Sequence, residues 1–189
     1  MMSEIISRNS GLFFMKVGIH AGEGFEQILE RKRMEYKKTG MIFWGYGGGT
    51  CHPTRIVQPF AKMKIEERDN IYLVMEEITS HHPPTELVAC EYSEDGIRWK
   101  PIPSGIIVRG CRYAVVLDEL REGDLDLDLS MYQVAVGPSM GKPAGDYIGG
   151  RVDKACLTNI RQDQPSSKPQ IKKIHHFAEI KAPYAVFTR

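Results

Sequence analysis

This 189-residue chain lacks most of the features that assign a sequence to a class at sight. No apolar run approaches the ~20 residues that a membrane helix needs, so no helical span is expected. Met1 to Ser10 carries charges and no hydrophobic segment, so no secretory signal is read there. Neither sign of charge dominates: 25 Lys+Arg against 24 Asp+Glu leave a formal net charge of +1. That balance exerts no global pull toward nucleic acid or an anionic membrane. The four cysteines, Cys51, Cys90, Cys111 and Cys156, form no CxxC pair. They read as reduced, mostly buried thiols of a cytoplasmic protein. GxxxxGK[ST], GxGxxG in a βαβ context, GxSxG, HExxH and the kinase signatures are all absent, as is any internal repeat.

What is present is an ordinary globular composition, 42% apolar and 26% charged, sufficient for a real core. Its length fits a single domain spanning 1–189. The stretch that stands out is 41–52. Met41, Ile42, Phe43 and Trp44 read as a buried strand that runs into Gly45, Gly47, Gly48 and Gly49, with Tyr46 among them and Thr50, Cys51 and His52 following. Clustered glycines cost backbone entropy, so they mark positive φ or a close approach to the backbone.

Leu12 to Gly18 reads as a strand. Phe25, Ile28, Leu29 and Tyr36 recur at helical spacing, with Glu26, Glu30, Arg31, Lys32, Arg33, Lys37 and Lys38 assigned to the solvent face. Thr39–Gly40 stops that helix. A second, short helix follows Pro53, with Pro59 limiting its length. The remainder is strand-rich. Ile71 to Ile78 is a strand, with a loop from Ser80 to Pro84. Glu86 to Tyr92 and Ile97 to Ile102 form a hairpin around Ser93–Gly96. Ile106 to Val108 and Arg112 to Leu117 read as one bent strand or two. The alternation from Asp124 to Leu129 has a strand period, and its acidity suggests an edge or an exposed loop. Met131 to Val136 and Arg151 to Thr158 are further strands around a loop at 137–150. Residues 159–173 are expected to be a mobile loop, and a hairpin across Lys181–Pro183 to close the sheet. About eight strands, with two helices in the N-terminal third, predict an α+β fold. Its sheet is expected to be mixed and mostly antiparallel, or an open barrel.

Two glycine-rich loops, at 45–49 and 137–150, carry the ligand-binding expectation. Backbone N–H groups of Gly47, Gly48, Gly49 and Thr50 suit an anion. Arg55, Lys142 and Arg151 add charge, and Trp44 or Tyr46 offers a ring to stack on a base. The competing explanation is close backbone packing at the glycines. Cys51, His52, His81 and His82 match no known zinc spacing, so neither metal nor cofactor is called for.

His20 after the first strand, Tyr46 in the glycine loop and Glu76–Glu77 at the end of the strand from Ile71 make a further set. In residue types it resembles ADP-ribosyltransferases. The resemblance implies that a His and an aromatic residue clamp NAD while a Glu orients the acceptor. It rests on isolated residues rather than a contiguous motif. Three readings follow. The first is a module that binds a phosphate-bearing small ligand, a nucleotide above all, between the two loops. The second is an enzyme acting on a nucleotide or NAD through His20, His52 and Glu77. The third is an interaction domain that docks a protein partner through the acidic segment 122–128 or the basic segment 168–173.

Overall fold

The structure is a computed structural model that describes residues 6, 11–47, 54–67, 70–81, 87–149, 152–160 and 168–189. Its strands are β1 (Gly11–Ile19), β2 (Ile42–Gly47), β3 (Ile71–His81), β4 (Glu91–Ser93), β5 (Lys100–Pro101), β6 (Tyr113–Leu117), β7 (Arg121–Asp128), β8 (Tyr132–Val134), β9 (Lys154–Asn159) and β10 (Ile171–Thr188). Its helices are α1 (Phe25–Thr39), α2 (Thr54–Glu66) and α3 (Ala144–Ile148). Among the described residues the ten strands join in one mixed sheet, antiparallel except for the pairing of β1 with β3. This is the expected α+β class.

The ladder runs β2-β6-β10-β3-β1-β9-β8 and does not close on itself. It curls strongly nonetheless. Tyr46 Oη, on the end strand β2, donates to the Phe14 carbonyl on β1 (3.0 Å) and lies 3.3 Å from that of Ala155 on β9. Side-chain alternation along β1 sends Phe13 and Val17 to one face and Leu12 and Phe14 to the other. Phe25, Ile28 and Leu29 of α1 and Val57, Phe60 and Ala61 of α2 cover the first face. Leu125 and Leu127 of β7, with Ala144 and Ile148 of α3, cover the second.

Helix α1 forms where its periodicity predicts. The Gly24 N–H donates to Gln27 Oε1 (2.9 Å) at its start. Gly40 ends it in the left-handed region, at φ 75°, with its N–H donating to the Tyr36 carbonyl. One assignment is reversed: Lys32 lies inside the apolar stripe and is only 3% exposed. Four positions separate it from both Ile28 and Tyr36, which places all three on one side of the helix. Its Nζ binds Glu35 (3.0 Å to each oxygen), itself 2% exposed.

Several elements differ from the sequence reading. Helix α2 continues through Pro59, whose side is exposed, because Val57, Phe60 and Ala61 still bury one face. Gln58 Nε2 also ties it to the carbonyls of Pro183 (2.9 Å) and Ala185 (3.1 Å). Strand β3 runs on through Ser80 and His81, which were expected in a loop; Ile19 of β1 pairs with His81. The loop at 137–150 contains α3, and 106–108 is not a strand. No hairpin forms at Lys181–Pro183. β10 continues as a single bent strand because both its halves find partners: β7 and β3 before the bend, β6 and β4 after it. Of the expected loop 159–173, Asn159 ends β9 and Ile171 begins β10, while 161–167 lie outside the described residues.

The segments expected to seek a protein partner pair with each other. Acidic β7 is antiparallel to the start of β10, with Lys173 bound to Asp126 and His175 to Asp124. Arg33 of α1 takes Glu122.

The buried Lys32–Glu35 pair generates the first prediction. Lys32→Met strands a buried carboxylate and lowers stability by about 3–5 kcal/mol. In chemical denaturation the double variant Lys32→Met/Glu35→Leu also stays below wild type, by about 2 kcal/mol or more, because main-chain groups lose their partners. A double variant as stable as wild type rules this account out.

Candidate functional site

The curl leaves a cleft of about 180 Å³ where β2 comes over β1. Met15 to Gly18 of β1 and Trp44, Gly45 and Gly47 of β2 form two walls. Ile28, Arg31 and Lys32 of α1, the segment 107–111, and Asp153 with Lys154 complete it. His20 also lines it.

Each wall has a local cause. After β1 the chain turns tightly through Ala21 (φ 50°) and Gly22 (φ 80°), with main-chain bonds exchanged between His20 and Glu23 (2.9 Å each). That turn aims His20 Nε2–H at the Arg109 carbonyl (3.0 Å). It also presents Glu23 to Arg31, which binds it through Nε (2.8 Å) and Nη2 (2.9 Å). Arg109 reaches the same carboxylate from the opposite wall, at 3.4 Å.

Deeper in, the Lys32–Glu35 pair completes two stretches of backbone. Glu35 accepts the N–H of Phe43 (2.9 Å) and of Ile107 (3.1 Å). Lys32 Nζ donates to the carbonyls of the same two residues. Helix α1 thus bonds β2 and the 107–111 segment as a neighbouring strand would.

The cleft is cationic. Lys16, Arg31, Lys32, Arg109 and Lys154 line it against one lining carboxylate, Asp153. The cations are not equally engaged. Lys16 Nζ donates to the Ile148 carbonyl (2.6 Å), Arg31 holds Glu23 and the Ile107 carbonyl, and Lys32 has Glu35 and two carbonyls. Arg109 Nε is buried with no partner among the described residues.

Burial draws the Lys32 ammonium down to about 8, against the opposing charge of Glu35. Burial would raise Glu23, but the hydrogen bond and charge of Arg31, with Arg109 and Lys32, outweigh it and hold the carboxyl below its usual value. Burial raises the Cys111 thiol, only partly offset by Lys154 and Lys32. Cys111 is therefore a packed thiol rather than an activated nucleophile.

The structure distributes the sequence-predicted residues unevenly. His20, Trp44 and Gly47 line the cleft. Trp44 is only 2% exposed, and its Nε1–H donates to Met15 Sδ (3.1 Å). Tyr46, expected to stack on a ligand ring, is fully buried between Phe13 and Tyr113. Glu77 lies opposite Val17 in register but is exposed and not among the lining residues. Lys142 is exposed in the turn before α3, away from the cleft. Arg55 begins α2. Gly48, Gly49, Thr50, Cys51, His52 and Arg151 lie outside the described residues.

Two glycines of the first loop have a packing explanation. A Cβ at Gly45 would fall 2.6 Å from Cys111 Sγ, and one at Gly47 2.7 Å from Tyr113 Oη. Sequence reasoning missed Lys16, Arg31, Lys32, Arg109 and Lys154 as lining cations. Only Lys32 and Glu35 left a readable signal, a charged pair three apart within an apolar helical stripe. No protein-family model matches the chain, and neither a curated protein nor a solved structure matches it.

The Glu23 shift has a definite sign. Because the folded carboxyl sits below the ordinary 4.5, ionised Glu23 contributes stability above that value and loses it as pH falls through the lower folded value. The difference in denaturation midpoint between wild type and Glu23→Gln should be constant near neutrality and shrink in acid. A difference that persists unchanged into strong acid contradicts the assignment.

Proposed function

We propose that this protein binds a phosphate-bearing small ligand, with nucleotides the leading class, in the cleft between β1, β2 and α1. The charge imbalance supports this reading: five cationic side chains line the cleft against one carboxylate. Glu23 and Glu35 behind the lining offset part of that charge and leave an excess. Met15, Val17, Ile28, Trp44 and Val108 supply apolar walls of low local dielectric, beside which the attraction for an anion is stronger than in open water.

Of the two glycine-rich segments, only the first supplies lining residues among those described. Gly45 and Gly47 come from the first. Asp153 and Lys154 follow the second, whose helix α3 holds Lys16 through the Ile148 carbonyl. The volume of about 180 Å³ is below the ~300 Å³ at which drug-sized pockets begin, and suits a phosphate with part of its attached group. The ADP-ribosyltransferase resemblance draws no such support, since the Tyr46 ring is in the core and Glu77 lies off the cleft. We assign the protein to the cytoplasm, where the free thiols Cys90, Cys111 and Cys156 stay reduced.

Isothermal titration with inorganic phosphate, pyrophosphate, AMP, ADP and ATP tests the reading. One-site binding that weakens as KCl rises is expected. In a Cys51→Ser/Cys90→Ser background the bound compound should also slow alkylation of Cys111, which lines the cleft. Absence of binding by every compound, or binding that leaves Cys111 equally reactive, overturns it.

A further inference from the structure

We infer that Arg109 and Lys154 are the groups that grip the ligand's phosphate, and that Glu23 is an internal competitor that reserves the site for dianionic phosphomonoesters. The inference rests on the anion-binding reading above and adds to it which donors act and which anions are accepted.

The donors follow from accounting for the cations. Arg31 and Lys32 are spent on structure, holding Glu23, Glu35 and the carbonyls of Phe43 and Ile107. Arg109 is not. Its ion pair to Glu23 is long at 3.4 Å, and its Nε is buried with no partner among the described residues. An unpaired buried donor of a charged group is costly, and an incoming oxyanion removes that cost. Lys154 lines the same cleft, and its Nζ has no hydrogen-bond or ion-pair partner among the described residues. The backbone of Arg109 is anchored by His20 at its carbonyl and by the bridge to Val88. The side chain can therefore change partner while its base stays in place.

The selectivity follows from Glu23. Its Oε1 is already bound at 2.9 Å by Arg31 Nη2, so Arg109 is the weaker of its two ligands and the one an anion can take. A monoanionic carboxylate arriving at Arg109 replaces like with like and gains little. A phosphomonoester brings about −1.5 to −2 charge and three acceptor oxygens, enough to engage Arg109 and Lys154 together.

The test measures binding of inorganic phosphate and of acetate to the full chain. Wild type should prefer phosphate. Arg109→Gln and Lys154→Gln should each weaken phosphate binding about tenfold or more, and Arg109→Lys should recover part of the loss. Glu23→Gln should act in the opposite sense, tightening both anions and narrowing the preference for phosphate. Opposite directions cannot arise from general destabilisation, and the thermal midpoint of each variant verifies folding. If wild type binds phosphate compounds while the Arg109 and Lys154 variants bind equally well, the inference falls and the broader reading stands. Weaker phosphate binding by a folded Glu23→Gln also removes the competitor role. No binding of any phosphate compound by wild type overturns both.

Discussion

The fold around the cleft depends on one buried ion pair. Lys32 and Glu35, both almost fully enclosed, satisfy the N–H and the carbonyl of Phe43 and of Ile107. A buried ion pair is weak evidence for stability when apolar residues of similar volume can replace it. Here the replacement would orphan four main-chain groups as well, because no strand lies where the helix stands. The pair is thus less a salt bridge added to a core than a substitute for a missing strand ladder.

That substitution explains how an open sheet supports a cleft. Strand β2 hydrogen-bonds to β6 on one edge and is the end of the ladder, so its other edge needs a covering. Helix α1 supplies it at Phe43, while Trp44 and Tyr46 reach Met15, Phe14 and the β9 carbonyl of Ala155 by side-chain bonds. The strands themselves never meet. The gap between them, walled by Met15 to Gly18 and by Gly45 and Gly47, is the cleft. Closure of the sheet into a barrel would have filled it.

Much of the architecture was legible because it rests on local periodicity. Alternation along β7 gave a strand period, and its leucines proved to be the buried face. The 3.6-residue spacing from Phe25 to Tyr36 identified α1 nearly to the residue. What failed depended on partners distant in sequence. Nothing near Pro183 says that β10 has strands waiting on both sides of its bend, so a turn was the natural reading. Nothing near Pro59 says that Gln58 anchors α2 to β10. Lys32 was misassigned because a lysine on a helix is almost always solvated, and its buried partners Phe43 and Ile107 lie 11 and 75 residues away.

The candidate site was legible in place but not in chemistry. The stretch 41–52 drew attention for its glycines, and of its described residues Trp44, Gly45 and Gly47 line the cleft. Yet Gly45 and Gly47 have their reason in Cys111 and Tyr113, which pack where a Cβ would stand. The charge comes from elsewhere: one residue on β1, two on α1, one in the 107–111 segment and one at the start of β9. A chain with a formal net charge of +1 excludes a broadly basic surface, but it does not exclude a basic pocket. Folding can sort the charges. Here the acidic run of β7 is held against β10, while five cations from separate segments converge on the cleft with fewer carboxylates beside them. Composition averages over that sorting, and only the topology reveals it.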